Sequence, residues 1–140
     1  MKNIINMLQI ILITISFSAC SKDDTSNVPI DETKVNDNYY IKYEAYNGNG
    51  LSANGNVTTE KGILSFEDSF SETFGPVSKG FRASISVSCR HKGNGGNSTY
   101  SIRIYVSKNN EPFVLKASKE GKYSWNGGGN SLSANYIIDF

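Results

Sequence analysis

From residue 39 onward, apolar and polar side chains alternate with a period of two, and no window of helical length keeps apolar residues at three-four spacing. The sharpest run covers 81–91, where Phe81, Ala83, Ile85, Val87 and Cys89 alternate with Arg82, Ser84, Ser86, Ser88 and Arg90. Such a strand has one core face and one wet face. Tyr100, Ile102, Ile104 and Val106 alternate with Ser101, Arg103 and Tyr105 in the next run. Leu132, Ala134, Tyr136, Ile138 and Phe140 carry the pattern to the last residue, which predicts that Phe140 belongs to the fold. Shorter runs predict strands over 39–46, 51–59, 62–66, 70–74 and 112–117.

Turn chemistry separates these runs. Asn47-Gly48-Asn49-Gly50, Lys61-Gly62, the glycines from Gly93 to Gly96, Asn109-Asn110 and the segment 126–130 supply residues that tolerate positive φ, as hairpin turns require. Half-polar strands joined this way indicate an antiparallel sheet with one solvated face, and several of them in about a hundred residues indicate two sheets face to face. The expected fold is all-β: an immunoglobulin-like antiparallel β-sandwich of seven to eight strands. A small up-and-down barrel is the alternative.

The N-terminus has a different pattern. Residues 4–17 are rich in Ile, Leu and Phe without a charge, but the run is short of the roughly 20 residues that a spanning helix needs. Lys2 precedes it, and Ser18 and Ala19 stand just before Cys20. A basic start, a short apolar run and two small residues before a cysteine predict a signal segment, 1–19, cleaved ahead of a lipidated Cys20. Each buried methylene contributes about 0.8 kcal/mol, so a cysteine carrying two or three acyl chains is an effectively permanent membrane anchor. Residues 20–38 are polar and aperiodic and read as a flexible tether, leaving 39–140 as the folded domain.

Charge and cysteine count narrow the function classes. Cleavage removes Lys2 alone among the charges, so the 14 basic residues become 13 against 13 acidic ones. A neutral chain with Arg82, Arg90 and Arg103 scattered singly offers no basic face for nucleic acid. Of the two cysteines, lipid on Cys20 leaves Cys89 without an intramolecular partner. The fold must then rest on its apolar core.

Cys20-Ser21-Lys22-Asp23-Asp24 resembles the start of outer-membrane lipoproteins of the Bacteroidota, in which acidic residues after the lipidated cysteine, often beside a Lys, direct export to the cell surface. By that resemblance Lys22, Asp23 and Asp24 form the export signal and the protein faces the cell exterior. Tyr40-Ile41-Lys42-Tyr43-Glu44-Ala45 and Phe74-Gly75-Pro76-Val77-Ser78-Lys79-Gly80-Phe81-Arg82-Ala83-Ser84-Ile85 resemble a group of small Bacteroidota lipoproteins. Their layout is similar to the extracytoplasmic sandwich of the mycobacterial small membrane proteins, which act as transport accessories. Those domains carry paired cysteines, whereas this one has Cys89 alone. The resemblance implies the sandwich and, as a second functional reading, an accessory subunit of an outer-membrane transport complex.

Each candidate for chemistry has a plainer structural account. Cys89 and His91 share a strand face, as a thiol and its base do, but alternation sets Cys89 among Phe81, Ile85 and Val87, the position of a buried inert thiol. His91 is the single histidine, too few for a metal site with Cys89. Glu60, Glu67, Asp68 and Glu72 suggest a glycosidase pair less well than solvated strand ends. No helix follows the glycine clusters, so they do not form a phosphate loop. No cofactor and no catalytic set is expected, which leaves a hydrolase as the weakest reading. The best candidate site is aromatic: Tyr123 and Trp125 beside Lys122 and an Asn-Gly loop, with Tyr40, Tyr46 and Tyr105 on the polar faces of their strands. Rings with nearby amides suit a glycan, peptide or protein partner, which predicts a non-catalytic binding module on the cell surface.

Overall fold

The computed structural model describes residues 36–92, 98–123 and 130–140. Its strands in chain order are β1 (Tyr39–Asn47), β2 (Leu51–Thr59), β3 (Gly62–Glu67), β4 (Phe70–Val77), β5 (Arg82–His91), β6 (Thr99–Lys108), β7 (Val114–Lys122) and β8 (Ser131–Ile137). They form two antiparallel four-stranded sheets: sheet A in the order β4-β1-β6-β7 and sheet B in the order β3-β2-β5-β8. This is a sandwich and not a closed barrel. Cys20, Lys22, Asp23, Asp24 and Trp125 lie outside the described residues.

Among the described residues two connections are hairpins, β2 to β3 through Lys61-Gly62 and β6 to β7 through Asn109-Asn110, and both use positive φ as their residues predict: Gly62 at 115°, Asn109 at 48° and Asn110 at 67°. Asn47-Gly48-Asn49-Gly50 does something else. It links β1 of sheet A to β2 of sheet B, so its compact geometry turns a corner between layers instead of closing a ladder. Asp68, at φ 59°, makes a second such corner between β3 and β4.

The alternating residues meet between the layers. Ile41, Tyr43, Ile102 and Ile104 of sheet A and Val57, Ala83 and Ile85 of sheet B are all but inaccessible to solvent. At about 1.5–3 kcal/mol for each large apolar side chain, their burial is the main stabilising term. Along one edge the layers are closed by rings: Phe66 stacks on Phe70 at 4.4 Å between centroids, Phe70 lies 6.4 Å from Phe74, and Phe74 lies 6.0 Å from Tyr43. The Tyr43 hydroxyl donates to the Thr58 carbonyl at 2.6 Å, which ties sheet A to sheet B with the buried polar group satisfied.

Antiparallel order gives the sandwich two distinct ends. The lower end carries the start of β1, the turns at 60–61, 78–81 and 109–113, and the C-terminal residues; the upper end carries 48–50 and 68–69. At the lower end Asp37 and Asn38 are clasped by the β6–β7 turn. Asn38 N–H donates to Asn109 Oδ1 at 2.9 Å, Asn109 N–H donates to the Asn38 carbonyl at 2.9 Å, and Lys108 Nζ lies 2.8 Å from Asp37 Oδ2. Phe140 lies beyond β8, yet its ring meets that of Tyr39 edge-on at 5.6 Å and its carbonyl accepts the Tyr39 hydroxyl.

Hydrogen bonding from Lys108, then from Asn109, holds the Asp37 carboxyl below its ordinary value, and Lys42 and Lys92 do the same to Glu44 and Asp68. A depressed folded-state value stabilises the fold above the ordinary carboxylate range, and that contribution disappears as pH falls through the lowered value. The thermal midpoint should therefore stay level from about pH 7 to about pH 5 and fall below about pH 4. Asp37→Asn should lower the midpoint at neutral pH and flatten the acid drop. Unfolding followed by circular dichroism across this range checks it, and a decline already complete by pH 6 would contradict the assignment.

Candidate functional site

β1 spells Tyr39 to Asn47 with Tyr39, Ile41, Tyr43 and Ala45 directed into the core, which sends Tyr40, Lys42, Glu44 and Tyr46 to the outer face of sheet A. The β1–β6 register then sets Tyr40 opposite Ser107, Lys42 opposite Tyr105, Glu44 opposite Arg103 and Tyr46 opposite Ser101. Directly opposed side chains on an antiparallel pair interact, so this register selects unlike partners: cation with ring, acid with base.

The charged groups form one chain across the face. Glu44 Oε1 lies 2.7 Å from Lys42 Nζ, its Oε2 lies 3.8 Å from Arg103 Nη1, and Arg103 Nη2 lies 3.9 Å from Glu120 Oε1 of β7. The ammonium of Lys42 stands 5.7 Å from the Tyr105 ring centroid, a cation–π distance. The hydrogen bond from Lys42 and the charges around Glu44 keep it ionised, and the same pairing raises the Lys42 value. Pairs this exposed add little stability, so their value lies in ordering donors and acceptors on the surface.

A groove of about 400 Å³ runs over this face between Tyr46, Glu44 and Arg103 on one side and Phe70 and Ser71 on the other. Tyr46 keeps 58% of its surface in solvent. The groove thus offers an exposed ring, a guanidinium, a carboxylate and hydroxyls in one concavity. The outer face of sheet B contrasts with it. Ser52, Asn54, Asn56, Ser84, Ser86, Ser88, Ser133 and Asn135 alternate with core residues there, and among the described residues of its strands no ring projects outward.

The other candidates are not brought together. Tyr123 is half-buried against the core, its ring 5.7 Å from that of His91, and its N–H donates to the Ser98 carbonyl at 2.8 Å. It helps close the upper end. Cys89 is buried and burial pushes its thiol up, which disfavours the thiolate that a nucleophile requires. Glu60 and Asp68 sit at opposite ends of β3, and Asp68 pairs with Lys92 at 3.1 Å. Glu67 and Glu72 are exposed on separate strands. Among the described residues no group of three or more His, Cys, Asp or Glu side chains is arranged to hold a metal ion.

The partners of Tyr46 and Tyr105 are what alternation alone does not disclose. Their outward direction is readable from the strand pattern, whereas the Glu44–Arg103 and Lys42–Tyr105 oppositions exist only once β1 is in register with β6. No protein-family model matches this chain, and neither does any curated protein or solved structure.

Proposed function

We propose that this protein is a lipid-anchored surface module of the outer membrane that binds an external glycan, peptide or protein without chemistry, and that its ligand lies on the outer face of sheet A. The single observation that carries the binding site is the groove beside Tyr46, where an exposed ring stands with Arg103, Glu44 and serine hydroxyls. Rings bury area at low entropic cost while the polar groups fix orientation, the combination that recognises a sugar face or an extended polypeptide. The short apolar run ending in Ser18-Ala19-Cys20 and the Lys22-Asp23-Asp24 segment are the sequence grounds for the anchor and the outward side.

Binding on glycan arrays and in pull-downs from outer-membrane extracts tests the reading. Tyr46→Ala and Arg103→Ala should each weaken the retained ligand about tenfold, equivalent to about 1.4 kcal/mol. Ser133→Ala on the opposite sheet should leave affinity unchanged. Equal binding by all three variants, or no ligand in either screen, sinks the assignment.

A further inference from the structure

The large apolar side chains that remain exposed are unevenly distributed. Apart from Tyr46, those among the described residues lie toward the lower end: Phe113, Val114 and Leu115 where β7 begins, Ile137 and Phe140 where the chain finishes, and Ile63 with its neighbour where β3 leaves its turn. Val114 keeps 54% of its surface in solvent and Ile63 keeps 77%. Lys116, next to Leu115, joins two of these segments, its ammonium 3.9 Å from the Phe140 ring centroid and 5.6 Å from that of Tyr136. Lys61 and Lys79 are exposed at the same end. Phe113 to Leu115, Ile137 and Phe140 gather at the β7 and β8 edge, with Ile63 across the same end on the β3 edge, and gathered apolar residues need an account that singly scattered ones do not.

We propose that the lower end of the sandwich is a membrane-contact surface, seated in the headgroup layer of the bilayer that holds the lipid on Cys20. This rests on the lipid-anchor reading above. The occupant follows from where the preceding chain joins the fold. Hydrogen bonds with Asn109 and the Lys108 ion pair fix Asp37 and Asn38 at this end, so the described chain begins among the exposed apolar residues. Asp37 follows Cys20 by seventeen residues, a length at which a linker reaches about 20 to 25 Å, short enough to return this end repeatedly to the headgroups.

Composition favours a bilayer over a second copy. Glu60, Lys61, Lys79 and Glu111 are interleaved with the apolar groups and all are exposed. A protein interface would desolvate these charges, whereas a zwitterionic headgroup layer offers counter-charges of both signs while accepting rings and aliphatic groups. Lysine stems can lie along an apolar surface with the ammonium in the polar layer, a geometry open to the exposed Lys61 and Lys79, while the Lys116 ammonium rests on the Phe140 ring itself. Docking in this way holds the upper end away from the membrane and leaves the groove beside Tyr46, at the upper end of sheet A, open.

The test uses the mature full chain in vesicles of phosphatidylethanolamine and phosphatidylglycerol, with a fluorophore at Leu115→Cys, Asn49→Cys or Ser133→Cys in separate samples. An aqueous quencher should reach the label at 115 about fivefold less than the label at 49, and lipids brominated on their acyl chains should quench only the former. Equal quenching at both positions overturns the docking and leaves the anchor intact. Shielding at 115 that vanishes when the protein is diluted to less than one chain per vesicle assigns the surface to a second copy and also overturns it. Mass spectrometry of the same sample reads Cys20 separately, and an unmodified cysteine removes the anchor itself.

Discussion

Deletion of Ile138, Asp139 and Phe140 is expected to lower the unfolding free energy by about 2–5 kcal/mol from Ile138 alone, the range for losing a buried Ile side chain. Ile138 is 1% exposed, and its backbone pins the β4–β5 turn: Gly80 N–H donates to its carbonyl at 2.7 Å, and its own N–H donates to the Phe81 carbonyl at 3.1 Å. Phe140 adds the edge-on contact with Tyr39, and Asp139 accepts the Tyr136 hydroxyl at 2.7 Å. Desolvation, with the Asp139 carboxylate, pushes that hydroxyl up to about 12. Removing Phe140 alone should cost less, because its ring is part-exposed and the Tyr39 hydroxyl retains Asp37 Oδ2 at 3.4 Å as a second acceptor. Urea unfolding of the two truncations beside the full domain reads the difference. Coincident midpoints for all three would remove the C-terminal residues from the fold's stability.

The legible strands were those whose two faces differ. β5 alternates Ala, Ile, Val and Cys with Ser and Arg because it is central in sheet B, and its burial follows that alternation closely. β7 shows the opposite case. Its sequence predicts a strand over 112–117, yet the strand runs Val114–Lys122, because β7 is the edge of sheet A and the inward positions of its second half are Ala117, Lys119 and Gly121, which carry no large apolar side chain. At Gly121 a Cβ would stand 2.8 Å from the Tyr100 ring, so the larger ring covers the space that an apolar side chain would otherwise mark. Asn47-Gly48-Asn49-Gly50 likewise carries hairpin composition at a corner between sheets. Local φ requirements are shared by both kinds of turn, and which one forms depends on distant strands.

The candidate site divides along the same line. Tyr40, Tyr46 and Tyr105 are readable as outward rings from alternation within single strands. The groove is not, since it requires Phe70 and Ser71 of β4 beside β1 and Arg103 of β6 on its other flank, three segments far apart in sequence. Tyr123 looked like part of an aromatic platform because it follows Lys122 in a turn-rich stretch. Its half-buried ring instead fills space beside His91. Separating a platform ring from a plug requires knowing what stands behind it.

Gly55→Ala is expected to destabilise the domain by about 3 kcal/mol or more, at or beyond the upper end for an overpacked core. Gly55 sits opposite Phe66 in the β2–β3 ladder and is buried beneath that ring. A Cβ at this position would lie 2.2 Å from Phe66 Cζ and 2.6 Å from the Ser86 carbonyl oxygen. The ring has little room to retreat, because it is stacked on Phe70 and belongs to the run that closes this edge of the sandwich. The carbonyl belongs to the neighbouring central strand, β5, so it can yield only by disturbing the sheet. Phe66→Ala should relieve the ring clash and leave the carbonyl clash. The double variant is therefore expected to be less unstable than the sum of the two single changes, with a coupling of about 0.5–3 kcal/mol. Strict additivity in chemical denaturation would place the cost of Gly55→Ala on the β5 backbone. A stability unchanged by Gly55→Ala would mean that the Phe66 ring does not close this edge as described.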